Sequence, residues 1–417
     1  MRNVNQPNRC RPVSRAESTD ERTRRLAGKV YLVGGAVRDE LLGLPVAERD
    51  WVVVGGSSGS MLAAGFRQAD PDFPVFLHPE TGEEYALARR ERKTGAGYRG
   101  FVIDASPQVT LEEDLRRRDL TINAMARDHD GKLIDPFDGQ ADLAARRLRH
   151  ISDAFAEDPL RILRVARFAA KLGDQAFRLA HGTHRLMQQM VADGAVSELL
   201  PQRVGREMNK ALSCAQPWRF FEVLQACGAL SALAPGLAGG LSAGHGRDTV
   251  ETAVRALRTA CCASPDPGVR FAALFLQSGD APQLLQARLA PGVEHIALLE
   301  AAREGLEALA SGLDATAAFS LLQRLRAWHR GGRFEQVLAV LRAQPGRRQR
   351  VEDLQAMREA GIAIDSEALV AQGYQGAELG RALAQARIRA IAAAVPAGKG
   401  GVTCVPKGQV ANWPPES

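Results

Sequence analysis

The sequence predicts an α+β protein whose N-terminal part mixes strands and helices and whose remaining part is helical. Up to about residue 150, short runs rich in β-branched and aromatic residues are separated by turns, as at 30–33, 49–54, 73–77, 84–87 and 101–104. From Asp158 onward, strand signals nearly vanish, and Ala, Leu, Arg and Glu place apolar residues at helical spacing. The length of 417 residues favours two or three domains and allows a sizeable core.

The amino-acid composition of the chain argues against several classes of function. The chain has 54 Lys and Arg against 48 Asp and Glu, a net charge of +6 that permits a phosphate-rich partner without requiring one. Aromatic residues make up only 5%, which argues against a sheet that stacks nucleobases. No apolar run approaches the ~18 residues of a membrane span. The six cysteines show no metal-binding spacing, so we expect reduced thiols and a cytoplasmic protein.

A glycine pair stands between the first predicted strand and the first predicted helix. The segment reads Leu32-Val33-Gly34-Gly35-Ala36-Val37-Arg38-Asp39. Glycines let backbone N–H groups approach a phosphate closely, and a helix N-terminus adds positive potential. Arg38 lies one turn inside the helix, within reach of the same anion. Taken alone, the glycine pair is more typical of a tight strand-to-helix turn.

Two carboxylates begin the second predicted strand, in the segment Glu48-Arg49-Asp50-Trp51-Val52-Val53-Val54. Side chains two residues apart on a strand share one face. Neighbouring carboxylates repel each other unless a cation lies between them, and carboxylate oxygens are ligands that Mg²⁺ prefers. Glu48 and Asp50 beside the glycine pair therefore predict an Mg²⁺ site. The alternative is a solvated strand end.

These segments resemble a known enzyme family. The polymerase-β-like nucleotidyltransferase superfamily combines such a glycine turn with such a carboxylate pair. The similarity is greater to class II tRNA nucleotidyltransferases, the CCA-adding enzymes, and to the related bacterial poly(A) polymerases. It extends from about Val30 to Lys171 and includes LVGGAVRDELLG, RDWVVVGG, LEEDLRRRDLTINAMA, LIDPFDG and EDPLRILRVARFAAK. The segments RDWVVVG and YALARRERK favour the CCA-adding branch over the poly(A) polymerase branch.

The resemblance implies roles for individual residues. Gly35 and Arg38 would contact the phosphates of the incoming nucleotide, and Arg118 its ribose or phosphate. Glu48 and Asp50 would hold the metal ions, although the family has aspartate at both positions. Glutamate is one methylene longer but still binds Mg²⁺, so we expect an active enzyme. Three residues are candidates for a further carboxylate beside the metal: Glu84, Glu91 and Asp119.

The segment Glu157-Asp158-Pro159-Leu160-Arg161 matches the nucleotide-selecting motif of the family. C and A both present an exocyclic amino donor beside a ring-nitrogen acceptor, so a carboxylate at Asp158 and a guanidinium at Arg161 complement them. Residues three apart share a helix face. Arg164 and Arg167 extend that face toward phosphate or ribose. The alternative is a solvated basic helix face.

Two further segments are compared with the family. A Gly-rich stretch from Lys93 to Gly100 matches a flexible loop that helps the switch from C to A addition; an ordinary hairpin is the alternative.

Many bacterial members also carry an HD phosphohydrolase domain, whose metal site needs a His and a His-Asp pair. Here Leu276-Gln277 stands in place of His-Asp and Glu251 in place of the first His. We therefore expect a degenerate HD region without phosphohydrolase activity.

The resemblance implies a domain order. We expect a disordered basic extension at 1–28 and a nucleotidyltransferase head with a mixed sheet and helices at 29–150. A helical neck at 151–215, a helical body at 216–345, a helical tail at 346–395 and a disordered stretch at 396–417 follow.

The expected function is template-independent addition and repair of the 3′-terminal CCA of tRNA, with CTP and ATP as substrates and Mg²⁺ as cofactor. The rivals are a poly(A) polymerase, which uses only ATP, and a catalytically impaired tRNA-binding protein. No membrane association is expected, and the sequence does not indicate an oligomeric state.

Overall fold

The computed structural model describes residues 23, 26–69, 73–93, 101–239, 246–328 and 332–394. Most of the predicted N-terminal extension, the C-terminal stretch from 395 and the loop residues 94–100 lie outside the described residues. By internal contacts the chain divides into two compact units, Met1–Leu299 and Glu300–Ser417. The predicted boundaries at 150, 215 and 345 stay predictions.

The first unit begins with the strands and helices of the head. In chain order these are β1 (Lys29–Val33), α1 (Gly35–Leu41), β2 (Asp50–Val54), α2 (Ser58–Ala63), β3 (Arg67–Gln68), β4 (Val75–Leu77), β5 (Glu84–Leu87), β6 (Arg90–Lys93), β7 (Phe101–Asp104), α3 (Leu111–Arg116), β8 (Ala126–Arg127), β9 (Leu133–Ile134) and α4 (Gly139–Ala144). Each of the five predicted strand runs contains one of these strands. The α+β class is confirmed.

Seven of these strands form one mixed sheet in the order β3-β4-β5-β2-β1-β8-β9. The pair β1–β2 is antiparallel and β2–β5 is parallel, and β6 and β7 form a separate hairpin. One face of the sheet buries Val53, Tyr85 and Leu87 against Met61 of α2. The other face buries Val33 and Val52 against α3 and the segment that precedes β8. The sheet therefore has a core on both faces.

The rest of the first unit is helical apart from one short strand pair. Its elements are β10 (Arg147–Leu148), α5 (Leu160–Lys171), β11 (Arg178–Leu179), α6 (His181–Ala192), α7 (Pro201–Leu212), α8 (Trp218–Ala226), α9 (Ala229–Leu233), α10 (Gly246–Ala263), α11 (Pro267–Phe275) and α12 (Pro282–Leu289). Helix α5 is buried along most of its length and packs against α7 and α8. The parallel pair β10–β11 is a detail that the sequence analysis did not predict.

Helix α13 (Val293–Ser311) contains the boundary between the units. The second unit continues with α14 (Ala315–Arg324), α15 (Arg333–Arg342), α16 (Arg348–Ile362), α17 (Ser366–Ala371) and α18 (Gly376–Ala394). Helix α18 packs against α14 and α16. None of the helices in the described ranges has the length and apolar content needed to cross a membrane.

Candidate functional site

The glycine pair brings the backbone against two guanidinium groups. Gly34 has a φ of 72°, in the left-handed region that favours glycine, and α1 begins directly after it. A Cβ added to Gly34 would lie 2.8 Å from Nη1 of Arg118, and one added to Gly35 would lie 3.5 Å from Nη2 of Arg38. The lack of side chains at this turn is therefore what lets Arg118 approach the start of α1.

Asp50 is the first residue of β2 and lies at the edge of the sheet next to this turn. It pairs with Val33, which directly precedes the glycines, and on its other side with Glu84. The next residue, Trp51, stacks on Tyr85 on the opposite face. Partial burial raises the pKa of Asp50, as does the charge of Glu48, whereas Arg118 lowers it. Asp50 therefore lies between a second carboxylate and a guanidinium group.

Glu48 lies outside the strand. Strand β2 starts at Asp50, and Glu48 is an exposed residue of the preceding connection. The alternation of a strand therefore does not fix the direction of Glu48. Its charge nevertheless raises the pKa of Asp50.

The three candidates for a further carboxylate differ in their surroundings. Glu91 accepts bonds from Arg89 and Arg117, both at 2.9 Å. Asp119 is 4% exposed and is held by Arg164. Glu84 is exposed and lies beside Asp50 in the β2–β5 register. Directly paired residues of neighbouring strands share a face, so Glu84 is the candidate placed beside Asp50.

Arg118 is positioned by Asp114, a residue that the sequence analysis did not single out. The Asp114 carboxylate is completely buried and accepts bonds from Arg118 at 3.2 Å, from Arg117 at 2.8 Å and from the backbone N–H of Arg89 at 3.2 Å. Burial alone would raise the pKa of Asp114, but the two arginine side chains lower it. Nε of Arg118 is buried and has no hydrogen-bond partner. Asp114 therefore fixes Arg118, whose charge acts on Asp50.

A buried network connects α1 with α5. Nη1 of Arg38 donates to Oδ1 of Asn123 at 2.5 Å, and Nδ2 of Asn123 donates to Oδ1 of Asp119 at 2.9 Å. Nε of Arg164 donates to Oδ2 of Asp119 at 2.8 Å. Burial would raise the pKa of Asp119, but Arg164 and Asn123 lower it to about 2. Asp119 is thus a permanently ionised structural anion.

The arginines of α5 that the sequence predicted as nucleotide contacts take part in internal contacts. Arg161 donates to the carbonyl oxygens of Ala154 and Arg117, both at 2.6 Å. Burial lowers the pKa of Arg161, opposed by nearby carboxylates. Arg167 bonds Glu207 of α7 at 2.5 Å and lies over the ring of Phe168. The helix therefore presents a positive face that Asp119 and Glu207 partly neutralise.

Asp158 lies before the helix and not on it. It has an extended backbone, with a φ of −119° and a ψ of 104°, and α5 begins at Leu160. The prediction that Asp158 and Arg161 share a helix face is therefore wrong. The reason is Pro159, because a proline disfavours helical backbone in the residue before it. Asp158 instead accepts a bond from Nη2 of Arg203 in α7 at 3.1 Å.

Four residues of this region escaped sequence reasoning: Asp114, Asn123, Arg203 and Glu207. Asn123 lies four residues after Asp119, a spacing that offers no local signal for a bond to Arg38. Arg203 and Glu207 belong to no motif in the sequence. Their roles depend on which helix packs against α5.

The region predicted as a degenerate HD site lies around α10 and α11. Glu251 is exposed and bonds Arg255 one turn later at 3.3 Å, and Leu276 is buried with 4% exposure. In the described part of the chain, no three His, Cys, Asp or Glu side chains converge to hold a metal ion. The degenerate HD domain stays a prediction.

The site combines a glycine turn, carboxylates at a sheet edge and fixed guanidinium groups, which is the arrangement of a nucleotidyltransferase. Residues 30–149 match the family described as "Poly A polymerase head domain". Residues 176–241 match the family described as "Probable RNA and SrmB- binding site of polymerase A".

Proteins with similar sequences assign the chain to a family within the nucleotidyltransferases. The chain is 47% identical over 399 residues to the "Multifunctional CCA protein" of Thioalkalivibrio sulfidiphilus, across 87% of this chain and 98% of the relative. It is 45% identical over 403 residues to the protein of the same name from Nitrosococcus oceani, across 88% and 98%. The chain belongs to the family of the multifunctional CCA proteins.

Solved structures show the same fold. The Bacillus stearothermophilus CCA-adding enzyme in complex with CTP is 25% identical, with a TM-score of 0.61 and coverage of 87% of this chain and 88% of the other. The Thermotoga maritima CCA-adding enzyme complexed with tRNA is 22% identical, with a TM-score of 0.63 and coverage of 88% and 87%.

Proposed function

We propose that this protein adds and repairs the 3′-terminal CCA of tRNA, using CTP and ATP and releasing pyrophosphate. The observation that supports this most directly is the position of Asp50. It lies at the sheet edge between the carboxylates Glu48 and Glu84 and the guanidinium of Arg118, next to a glycine turn. Membership of the multifunctional CCA protein family supplies the substrate class. The cytoplasm is the proposed location.

The carboxylates fit a divalent cation. Asp50, Glu48 and Glu84 are oxygen donors of like charge at one edge of the sheet, and the raised pKa of Asp50 reflects partial burial together with the charge of Glu48. We infer that Glu48 and Asp50 hold Mg²⁺, for which carboxylate oxygens are preferred ligands. The bound ion would activate the 3′-hydroxyl and stabilise the leaving pyrophosphate.

The guanidinium groups bind and neutralise the triphosphate. Arg118 approaches the glycine turn with its Nη1, and its side chain is 19% exposed, so it is the guanidinium group proposed to contact the ribose or phosphates directly. Gly35 offers the backbone N–H of the first helical residue of α1. Arg38 is 2% exposed and ion-paired with Asp39 at 2.8 Å, so it supports the turn from beneath and does not supply an unpaired charge. Fixed positive groups stabilise charge that develops during phosphoryl transfer.

Selection of C and A is proposed for Asp158 and Arg161, with Arg164 and Arg167 supporting the nucleotide. The Asp158 side chain is 24% exposed and is held by Arg203. Because Arg203 is already ion-paired with this carboxylate, the amino group of the nucleobase must either displace Arg203 or bind the carboxylate together with it. U and G present the opposite donor order and would place a carbonyl oxygen against the carboxylate, which is costly for a partly buried charge.

The test uses purified protein, Mg²⁺ and tRNA transcripts that end before CCA, after C or after CC, with CTP, ATP or both. We expect two C residues and then one A. Asp50→Asn should abolish incorporation and leave tRNA affinity unchanged, whereas Glu48→Asp should stay active. Tailing with A alone and without a defined stop would establish the poly(A) polymerase. No incorporation by the natural protein, together with normal tRNA binding, would establish the impaired tRNA-binding protein.

A further inference from the structure

A basic groove lies at the strand pair that the sequence analysis did not predict. It has a volume of about 630 Å³ and is formed where β10 pairs with β11 and where α6 begins. We call it the β10–β11 groove. Its charged lining residues are Arg146, Arg147, Arg149, Arg178 and His181.

Two arginines of the groove stand side by side. Arg147 and Arg178 are direct partners in the parallel pair, and both are exposed. Strands of a sheet lie ~4.8 Å apart, and directly paired side chains point the same way. Neither side chain forms an ion pair with another described residue. Like charges in this arrangement repel each other, so it costs stability unless an anion binds between them.

Two further arginines complete the positive lining. Arg149 is paired with Asp142 at 2.9 Å and is 46% exposed at its side chain. Arg146 lies over the ring of Phe177, and its Nη1 is buried without a hydrogen-bond partner. Arg146 also has a φ of 55°, a left-handed conformation that a side-chain-bearing residue rarely adopts. Such a left-handed backbone at a residue other than glycine is found most often at functional sites.

The start of α6 faces the same groove. His181 is its first residue, and the preceding Ala180 supplies no side-chain cap. The first N–H groups of a helix and its dipole favour negative charge. The groove therefore combines free guanidinium groups with the positive end of a 12-residue helix.

The position of the groove points to its occupant. The backbone N–H of Thr121 donates to the carbonyl oxygen of Arg149 at 2.9 Å, and Leu120 and His150 form an antiparallel bridge. Leu120 directly follows Asp119, which anchors the buried network of the nucleotide site. One strand spacing thus separates the groove from the segment that holds Asp119. The groove therefore adjoins the segment that carries Asp119.

We propose that the β10–β11 groove binds backbone phosphates of the RNA substrate near its 3′ end, outside the site that binds the incoming nucleotide. This inference rests on the proposed function for the direction in which the RNA enters. The contacts are to phosphates, so the groove contributes affinity and position without selecting sequence.

The test is the double variant Arg147→Gln/Arg178→Gln, which removes the two unpaired charges and keeps Arg146 and Arg149 with their packing roles. The matched control is Arg67→Gln/Lys132→Gln. It removes two charges at exposed positions, on the edge strand β3 and in the turn before β9. Affinity for a tRNA that lacks CCA is measured at several salt concentrations without nucleotide.

We expect the groove variant to bind tRNA about 10-fold more weakly than the control. The slope of log affinity against log salt should fall by about 1–2, because each lost phosphate contact removes ~0.7–0.9. The KM for CTP should not change. Thermal stability should stay equal or rise, because a repulsive pair is removed. An acceptor-stem hairpin with the same 3′ end should show the same loss as whole tRNA.

Three outcomes would overturn the proposal. Equal tRNA affinity of the groove variant and the control would show a solvated basic surface. A raised KM for CTP with unchanged RNA affinity would assign the groove to the nucleotide. A loss seen with whole tRNA but not with the hairpin would place the contact far from the 3′ end. RNA binding is measured without catalysis, so a protein that fails to add CCA would refute the proposed function while leaving this test intact.

Discussion

At the scale of single residues, Asp119 shows how a charge stabilises the site without taking part in it. Its carboxylate accepts bonds from Asn123 and Arg164 and is 4% exposed. A buried ion of this kind is stable only when such partners surround it. Removing one partner destabilises the fold by more than the complete group stabilises it.

This predicts a specific pH dependence for Asp119→Asn. The pKa of Asp119 is about 2 in the folded protein and 3.8 ordinarily. A lowered pKa stabilises the fold above about pH 4, and that contribution, roughly 2 kcal/mol, is lost as the pH falls toward 2. We expect the variant to be less stable than the natural protein at pH 7, with a difference that shrinks on acidification. Urea unfolding at several pH values measures it.

Asp130→Asn serves as the control for this experiment, because the Asp130 side chain is 74% exposed. It should shift stability little at any pH. A difference between Asp119→Asn and the natural protein that stays constant from pH 7 to 3 would contradict the assignment of Asp119 as an ionised anchor.

Gly34 offers a second test at this scale. Gly34→Ala places a Cβ 2.8 Å from Nη1 of Arg118, whereas Gly43→Ala meets nothing within 4 Å. Both glycines have a left-handed φ, of 72° and 67°, so both variants carry a backbone cost of about 1–2 kcal/mol. We expect kcat/KM for CTP to fall at least ~10-fold in Gly34→Ala only. Equal loss in both variants would mean that strain, and not the displacement of Arg118, explains the defect.

At the scale of elements, helix α5 depends on its contacts with α7. Arg203 and Glu207 of α7 bind Asp158 and Arg167, which lie at the start and in the middle of the α5 segment. The sequence predicts helical structure from Asp158 onward from its apolar spacing, but it does not predict which helix faces meet. Pro159 sets the start of α5, a boundary that local sequence does determine.

Close packing of α7 against the end of α12 gives a prediction for Gly205. A Cβ on Gly205 would meet the carbonyl oxygen of Ala290 and lie 2.6 Å from that of Leu289. Gly205→Ala should therefore destabilise the protein by about 1–3 kcal/mol through overpacking. Gly380→Ala, inside α18 and facing open space, should stabilise by about 0.5–1 kcal/mol through helix propensity. Calorimetry that shows both changes with the same sign would refute this account of the α7–α12 contact.

At the scale of the whole molecule, the helical regions are proposed to bind RNA and not to hydrolyse phosphate esters. We predict no release of phosphate from p-nitrophenyl phosphate or 2′-AMP, and no hydrolysis of 2′,3′-cyclic AMP, with Mg²⁺, Ni²⁺ or Co²⁺. Leu276 and Gln277 offer no carboxylate or imidazole at the positions that an HD site needs. The same preparation is assayed for CCA addition as a control. Metal-stimulated hydrolysis that disappears in Glu251→Ala would contradict the prediction.

The sequence by itself determined the fold class, the five strand runs of the head and the two local parts of the site. Gly34 lies between β1 and α1, Gly35 begins α1, and Asp50 begins β2. These features are local because strand alternation, glycine turns and helix starts depend on residues a few positions apart.

Only the tertiary structure decided which distant groups meet. Parallel pairing of β2 with β5 places Glu84 beside Asp50, and Arg38 meets Asn123 across 85 positions of sequence. Pairing of β10 with β11 creates the groove, in which Arg147 stands beside Arg178. Such contacts depend on strand order and helix packing. A local sequence pattern does not determine them, because the same apolar face can be buried against any of several partner elements. For this reason the sequence identified the residue types at the site but not the distant groups that they contact.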